Sequence, residues 1–181
     1  MSSKNDFIQT GMDMENKNIV LIGMPGAGKS TVGVLLAKAL KMPFIDTDLL
    51  IQQQENCYLQ ELIDARGINE FIKIEENVML GLDVKNHVIA TGGSVIYSEA
   101  AVKHLKASGV LVFLNTKMYQ LEHRLKNVHT RGIAMKNGQT LSTLFDERMP
   151  LYKKYSDLEI DCSKKRIETI VTEIKNNFTQ K

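Results

Sequence analysis

The chain has 181 residues, and its 23 lysines and arginines nearly balance its 21 aspartates and glutamates, which leaves a formal net charge of +2. This length is enough for one domain with a well-buried core and short for two. The near-neutral charge excludes a general electrostatic attraction to nucleic acid. No apolar run approaches the roughly 18 residues of a membrane-spanning helix, so we expect neither a nucleic-acid partner nor a membrane segment.

The N-terminal residues 1–16 are polar and lack the apolar core of a secretion signal. We therefore expect a disordered leader there, followed by a single domain over residues 17–181. The two cysteines, Cys57 and Cys162, match no metal-binding or redox spacing, which favours free thiols in a reducing compartment. The expectation is a cytoplasmic protein that works as a monomer or weak dimer.

Short apolar segments alternate with helical patterns along the whole chain. The predicted strands are Asn18–Ile22, Pro43–Asp46, His87–Thr91, Val110–Asn115 and Leu158–Asp161. The predicted helices are Lys29–Leu40, Asp48–Gln54, Leu59–Ala65, Asn69–Val84, Ser98–Ala107, Lys117–Asn127, Leu141–Lys154 and Arg166–Asn176. The strands are nearly all apolar rather than alternating, which is typical of parallel strands covered on both faces. With right-handed crossovers the pattern predicts an α/β three-layer sandwich with about five parallel strands and helices on both faces.

The stretch GMPGAGKS, from Gly23 to Ser30, follows the first predicted strand and matches the phosphate-loop pattern G-x-x-x-x-G-K-[ST] at every fixed position. Its glycines let successive backbone N–H groups turn inwards, and a helix that begins near Lys29 adds its positive end. Lys29 can reach the β- and γ-phosphates, and Ser30 can ligate Mg²⁺. The loop predicts a nucleoside triphosphate site without saying which reaction takes place there.

A pair of aspartates, Asp46 and Asp48, ends the second predicted strand in the stretch FIDTDLLIQ. Residues two apart in an extended segment share a face, so both carboxylates can serve the phosphate loop. One can hold a water on Mg²⁺, and the other can accept a hydrogen bond from an attacking hydroxyl. The alternative is that one of them caps the helix that follows.

Glycines and arginines mark the later loops. Gly92 and Gly93 follow the third strand, where they allow a ligand to approach the backbone, or simply form a turn. A polar stretch with glycines predicts a mobile flap over about residues 125–139, flanked by Arg124 and carrying Arg131. These arginines, and Arg148 beside a helical proline, can pair with anionic groups or stack on a base; the alternative for each is a solvated surface residue.

Taken together, these motifs resemble shikimate kinases, within the nucleoside-monophosphate-kinase-like P-loop proteins. The resemblance is carried by GMPGAGKST, FIDTD, GINEFIKIEE, VIATGGS, the arginine pair seven residues apart and ERMPLY, and it covers the chain from Asn18 to the C-terminus. It implies an ATP-dependent P-loop kinase that uses Mg²⁺ and transfers the γ-phosphate to a hydroxyl of a small polar metabolite, shikimate or a related hydroxy acid.

The resemblance also implies roles for individual residues. Lys29, Asp48 and Arg131 would be catalytic, and Ser30 and Asp46 would serve the metal. ATP would be bound by Gly26, Ala27, Gly28, Lys29, Ser30, Thr31, Arg124, Arg131 and Lys165. The acceptor would be bound by Asp48, Ile72, Glu75, Gly92, Gly93 and Arg148, with Arg148 holding its carboxylate.

Three positions near the acceptor depart from the family pattern. Ile72 stands where shikimate kinases carry an arginine that binds the acceptor, Ser94 replaces the third glycine of a Gly-Gly-Gly turn, and Gly132 replaces a proline. Removal of one partner of a buried charged hydrogen bond costs roughly 2–5 kcal/mol. The change at Ile72 is therefore expected to weaken the binding of shikimate.

Glu75 lies three residues beyond Ile72, on the same helical face. Without an arginine beside it, a buried Glu75 needs another partner or a proton. One hypothesis is an amino alcohol or hydroxy amino acid as acceptor, with Glu75 binding its amine. The plain alternative is that Glu75 pairs with Lys73, Lys153 or solvent. A nucleotide kinase and a catalytically weak, regulatory ATP-binding module remain as further alternatives.

Overall fold

The computed structural model describes residues 16–125, 132–136 and 138–179. The predicted leader therefore lies, apart from Asn16, outside the described residues. Five parallel strands form one sheet in the order β2-β3-β1-β4-β5. These strands are β1 (Asn18–Ile22), β2 (Phe44–Asp46), β3 (Val88–Ala90), β4 (Gly109–Asn115) and β5 (Leu158–Asp161). The predicted parallel sheet is confirmed, with every predicted strand present.

Eight α-helices surround this sheet within the described residues. They are α1 (Lys29–Leu40), α2 (Thr47–Glu55), α3 (Leu59–Arg66), α4 (Ile68–Leu80), α5 (Glu99–Ser108), α6 (Met118–Arg124), α7 (Leu141–Tyr155) and α8 (Ile167–Thr179). Helix α1 packs against α8, and α4 packs against α5. The chain moves along the sheet in both directions from β1, and because each crossover is right-handed, these two helix pairs lie on opposite faces of the sheet. The three-layer arrangement is confirmed. In the described part of the chain, no helix is both long enough and apolar enough to span a membrane.

The central strands form the core of the molecule. Strand β1 is buried at every position and pairs with β3 on one side and β4 on the other, through registers such as Val20↔Ile89 and Val20↔Leu111. The edge strand β5 is buried only at Ile160, so the near-continuous apolar pattern applies to central strands more than to edges. All five strands run the same way, so their carboxyl ends meet at one edge, where ligands of such sheets bind.

Several element ends differ from the sequence prediction by one to four residues, and two differences affect the local structure. Helix α4 ends at Leu80 rather than at Val84, since Gly81 closes the last turn with its N–H on the carbonyl of Asn77. The Asn18 side chain then donates to the carbonyl of Val84 at 2.7 Å, which fixes that segment outside the helix. A short 3₁₀ helix, Val95–Tyr97, follows β3 and was not predicted.

Candidate active site

A cavity of about 690 Å³ opens at the carboxyl ends of β1, β2 and β3. It lies between the phosphate loop, the Gly92–Gly93 turn and α7. Eleven of the residues predicted for the site line it: Gly26, Ala27, Gly28, Lys29, Ser30, Thr31, Asp48, Gly92, Gly93, Arg124 and Arg148. The fold thus brings together one site from loops that are far apart in sequence.

The phosphate loop has the backbone conformation that its glycines permit. Gly26 has φ +78° and Gly28 has φ +98°, backbone conformations that residues with a side chain rarely adopt. A Cβ atom on Gly26 would also lie 2.9 Å from Cγ of Leu125. Gly28 precedes the first residue of α1, so the helix N-terminus is directed at the loop, which is the arrangement that favours an anion.

Lys29 is held inside this loop. Its Nζ donates to the backbone carbonyls of Gly23 at 2.8 Å and Met24 at 3.0 Å. Burial lowers the pKa of Lys29 to about 8, an effect that the nearby carboxylate of Asp48 opposes. The ammonium is therefore positioned by backbone contacts beside the space that the loop encloses.

The two aspartates have different positions. Asp46 accepts a hydrogen bond from the backbone N–H of Asp48 at 3.1 Å and so caps α2, as the capping alternative predicted for one of the pair. Asp48 lines the cavity. Burial raises the pKa of Asp48 to about 6, and Lys29 opposes this shift. Asp48 is thus a carboxyl group with a pKa close to neutrality, next to a cation.

The Gly92–Gly93 turn is packed too tightly for any side chain. A Cβ atom on Gly92 would lie 2.0 Å from Oε1 of Glu75 and 2.9 Å from Oδ1 of Asp48. A Cβ atom on Gly93 would lie 2.9 Å from Nη1 of Arg148. These glycines therefore let two carboxyl groups and a guanidinium converge on one piece of backbone.

Helix α7 supplies the cationic wall of the cavity. Arg148 is only 1% exposed, so it is not a solvated surface residue. Its Nη2 donates to the carbonyl of Ala134 at 2.8 Å, and its Nε donates to the Tyr97 hydroxyl at 3.1 Å. Arg124, from α6, donates through Nη1 to the carbonyl of Gly26 at 3.1 Å, which places it against the phosphate loop.

The side chain of Glu75 is hydrogen-bonded to a serine, a partner that the sequence analysis did not predict. The hydroxyl of Ser94 donates to its Oε2 at 2.6 Å, while Oε1 has no hydrogen-bond partner in the described part of the chain. Burial raises the pKa of Glu75 to about 7, and the Ser94 hydrogen bond opposes this shift. Lys73 pairs instead with Glu70 at 3.6 Å. Glu75 is 1% exposed and does not line the cavity, which gives no support to the hypothesis that it binds an amine.

Three other predicted positions that the structure describes, Ile72, Asp46 and Lys165, stand apart from the cavity wall, and a fourth is not described. Ile72 is half-buried and packs against the core, and Asp46 is the helix cap described above; neither lines the cavity. Lys165 is also outside its lining and forms an ion pair with Glu173, with Nζ and Oε2 2.5 Å apart. Arg131, like residues 126–130 and 137 of the predicted flap, lies outside the described residues.

Within the predicted flap, the described segment 132–136 contributes Gly132, Ile133 and Ala134 to the cavity wall. Gly132 has φ +60°, and a Cβ atom on it would lie 2.3 Å from Cβ of Leu59. Proline, whose φ is fixed near −65°, cannot adopt this conformation. The backbone at this position is therefore one that glycine permits and proline does not.

Sequence reasoning missed several apolar lining residues, among them Phe71, Ile133, Ile167 and Ile170. Phe71, Ile167 and Ile170 have the same helical spacing as core residues, and Ile133 lies outside any helix or strand, so the sequence carried no signal that these residues face a cavity. Ser94 and Ala134 also line it; Ser94 was noted only as a departure from the family pattern. The apolar residues of α8 give the cavity a hydrophobic wall beside the phosphate loop.

Comparisons with known proteins agree with this geometry. The family model for shikimate kinase matches residues 25–179. A shikimate kinase from Caldanaerobacter subterraneus is 34% identical over 161 residues, which cover 87% of this chain and 94% of that protein. One from Caldicellulosiruptor bescii is 37% identical over 149 residues, covering 80% of this chain and 86% of that protein.

Solved structures show the same likeness. A shikimate kinase from Acinetobacter baumannii, solved in complex with shikimate, superposes with a TM-score of 0.83 at 27% identity, over 96% of each chain. The shikimate kinase from Aquifex aeolicus gives a TM-score of 0.74 at 31% identity, over 88% of this chain and 95% of that one. The chain therefore belongs to the shikimate kinase family, whose members are ATP-dependent phosphotransferases that use Mg²⁺ and act on a hydroxyl group.

Proposed function

We propose that this protein phosphorylates a hydroxyl of shikimate with MgATP. The observation that carries the proposal is that Lys29, Asp48 and Arg148 line one cavity beside a phosphate loop. An ammonium for phosphate, a carboxyl group for a hydroxyl and a guanidinium for a carboxylate are the groups that this reaction needs. Further support comes from the relatives named shikimate kinase and from the A. baumannii structure with shikimate.

At the nucleotide end, we assign the phosphates to the backbone of Gly26–Ser30 and to Lys29, with Thr31 and Arg124 flanking them. Magnesium is usually held by one or two protein oxygens together with phosphate oxygens rather than by a cage of side chains. The Ser30 hydroxyl, which lines the cavity, and Asp46 at the end of β2 fit that donor set. When bound, the ion neutralises charge on the phosphates.

At the acceptor end, we assign the carboxylate of the substrate to Arg148. Asp48 accepts the proton of the attacking hydroxyl as the oxygen forms its bond to the γ-phosphorus and the bond from that phosphorus to ADP breaks. Lys29 offsets negative charge on the transferring group. Gly92 and Gly93 let the acceptor lie directly against the backbone, since no side chain fits between them and the surrounding charged groups.

Steady-state kinetics with MgATP and shikimate, followed by ADP release, test this proposal. We expect saturable ADP release that depends on shikimate, and a phosphate monoester of shikimate as product by ³¹P NMR. Hydroxy amino acids, amino alcohols and nucleoside monophosphates serve as competing acceptors in the same assay. Efficient turnover of one of these without turnover of shikimate would replace the proposed acceptor, and tight ATP binding without any product would point to a regulatory module.

We further propose that the enzyme works in the cytoplasm as a monomer or weak dimer. Support for the compartment comes from Cys57 and Cys162, which are both free thiols, the usual state in a reducing environment. Light scattering across a range of protein concentrations checks the oligomeric state.

A further inference from the structure

Tyr97, from the 3₁₀ helix after the Gly92–Gly93 turn, contacts Arg148 in two ways. The Tyr97 hydroxyl accepts a hydrogen bond from Nε of Arg148 at 3.1 Å. The guanidinium carbon also lies 5.1 Å from the centroid of the Tyr97 ring, within the range of a cation–π contact. Since Nη2 is taken by the carbonyl of Ala134, these contacts direct the Nη1 side of the guanidinium towards Gly93.

Tyr97 is in turn held by a chain of contacts that ends in the described part of the predicted flap. Its hydroxyl donates to Oε1 of Glu147 at 2.6 Å, and Gln139 donates to the other carboxylate oxygen at 2.9 Å. The Gln139 side-chain oxygen accepts from the backbone N–H of Lys136 at 3.0 Å. Donation to a carboxylate polarises the phenol oxygen and strengthens its bond to the guanidinium.

The contacts form a loop that begins and ends in the same short segment. One end is the carbonyl of Ala134, which accepts from Arg148, and the other is the N–H of Lys136. Between them the connection runs through Tyr97 and the exposed side chain of Glu147. Gly132, Ile133 and Ala134 of this segment line the cavity, so the position of this wall and the orientation of Arg148 depend on each other.

We propose that Tyr97 is a positioning residue for the acceptor: it aims Arg148 at the carboxylate of the substrate and couples that aim to the cavity wall at residues 132–136 through Glu147 and Gln139. This rests on the proposed function, because shikimate is the acceptor named. Tyr97 does not line the cavity, so its effect is exerted through Arg148.

Tyr97→Phe is the decisive variant, since it keeps the ring and removes only the hydroxyl. Loss of a hydrogen bond to a charged group corresponds to a rise of roughly tenfold or more in the KM for shikimate. The KM for ATP should change by less than about twofold, because the hydrogen bonds of the Tyr97 side chain within the described residues are to Glu147 and Arg148. Tyr119→Phe, at a residue that is 54% exposed, is the matched control and should change neither constant.

Gln139→Ala and Glu147→Gln break the same chain further away, at residues outside the core. Each should raise the KM for shikimate by a smaller factor, and the Tyr97→Phe/Gln139→Ala double variant should show less than the product of the two effects. Hydrogen exchange at residues 132–136 should slow when shikimate binds the wild type, and slow less in Tyr97→Phe.

Several results would overturn the inference. These are an unchanged KM for shikimate in Tyr97→Phe, an equal rise in both KM values, or strictly multiplicative effects in the double variant. If Tyr97→Phe does not fold, the two outer variants decide by the same KM criterion. Failure of the proposed function is separate, because it would appear as absent shikimate turnover in the wild type.

Discussion

The side chain of Asp46 accepts a hydrogen bond from the backbone N–H of Asp48 at 3.1 Å. The first aspartate of the pair thus caps the helix α2, whose first turn contains the second aspartate. Asp48 then lines the cavity, and Asp46 does not. Two residues of the same type in one motif thus differ in position, and this difference makes their roles separable by substitution.

Asp48→Asn should lower kcat by about 10²-fold or more, the range that general base catalysis supplies. Affinity for ATP should change by less than about threefold, because Asp48 is assigned to the acceptor. Steady-state kinetics with varied ATP and shikimate measure both effects. Asp46→Asn keeps a capping side chain but removes a charge that we assign to Mg²⁺, so it is the comparison variant and should weaken MgATP binding. If Asp48→Asn weakens ATP binding as much as turnover, Asp48 serves the metal instead.

Lys29→Met should lower kcat by about 10²–10³-fold, the usual effect of removing one group that stabilises transferring charge. The variant should fold normally, since methionine is an apolar residue of similar length and the lysine that it replaces is buried. Burial lowers the pKa of Lys29 in the native state to about 8, from an ordinary value of 10.5. Between pH 8 and 10.5 the unfolded chain holds a proton on Lys29 that the native state has released. The free energy of unfolding of the wild type should therefore increase as the pH rises through this range. Denaturant unfolding at several pH values should show that this increase is absent in Lys29→Met. A kcat close to that of the wild type would contradict the assignment of Lys29 to the transferring phosphate.

Glu75→Gln should change how stability depends on pH. The pKa of Glu75 is raised from 4.5 to about 7 by burial, so the native state holds a proton that the unfolded chain releases. Its contribution to stability is present below pH 4.5 and is lost as the pH rises to 7. Relative to wild type, Glu75→Gln should become progressively more stable across this window, by denaturant unfolding. A constant difference between the two proteins would show that Glu75 does not bind the extra proton.

Gly92→Ala should damage acceptor binding and stability together. The new methyl would lie 2.0 Å from Oε1 of Glu75 and 2.9 Å from Oδ1 of Asp48, and both carboxyl groups would have to move. Overpacking of this kind costs about 1–3 kcal/mol, and kcat/KM for shikimate should fall by more than kcat/KM for ATP. Gly81→Ala is the control, because its nearest neighbour atoms would lie 3.4 and 3.6 Å away.

Ile72→Arg tests whether the departure from the family pattern weakens the acceptor site. Arginine at this half-buried position lies one helical turn before Glu75 and can supply the cation that the carboxylate lacks. The KM for shikimate should fall by about tenfold or more, with little change in kcat. Ile72→Lys adds the charge without the planar fork of arginine and should recover less; an unchanged KM in both would show that position 72 does not contribute to acceptor binding.

The fold could be predicted because the relevant signals are local. The apolar run Asn18–Ile22 and the glycine loop after it specify a buried strand and a phosphate site by themselves. The polar neighbours of the acceptor could not be predicted in the same way. Arg148 meets Tyr97 across 51 residues, and Ser94 meets Glu75 across 19. No spacing rule within one helix or strand connects such pairs, because their contact depends on how whole elements pack.

The aromatic stack of Tyr152 and Phe113, which is connected to the Gly92–Gly93 turn, affects how variants of this enzyme should be interpreted. Tyr152 donates to the carbonyl of Gly93 at 2.6 Å, and its ring stacks on Phe113 of the central strand β4, with centroids 5.1 Å apart. The backbone to which we assign the acceptor is thereby anchored to the interior of the sheet. A smaller side chain at the buried Phe113 would let the Tyr152 ring shift, and this shift would move the carbonyl of Gly93. Such a variant would show altered kinetics even though Phe113 does not line the cavity.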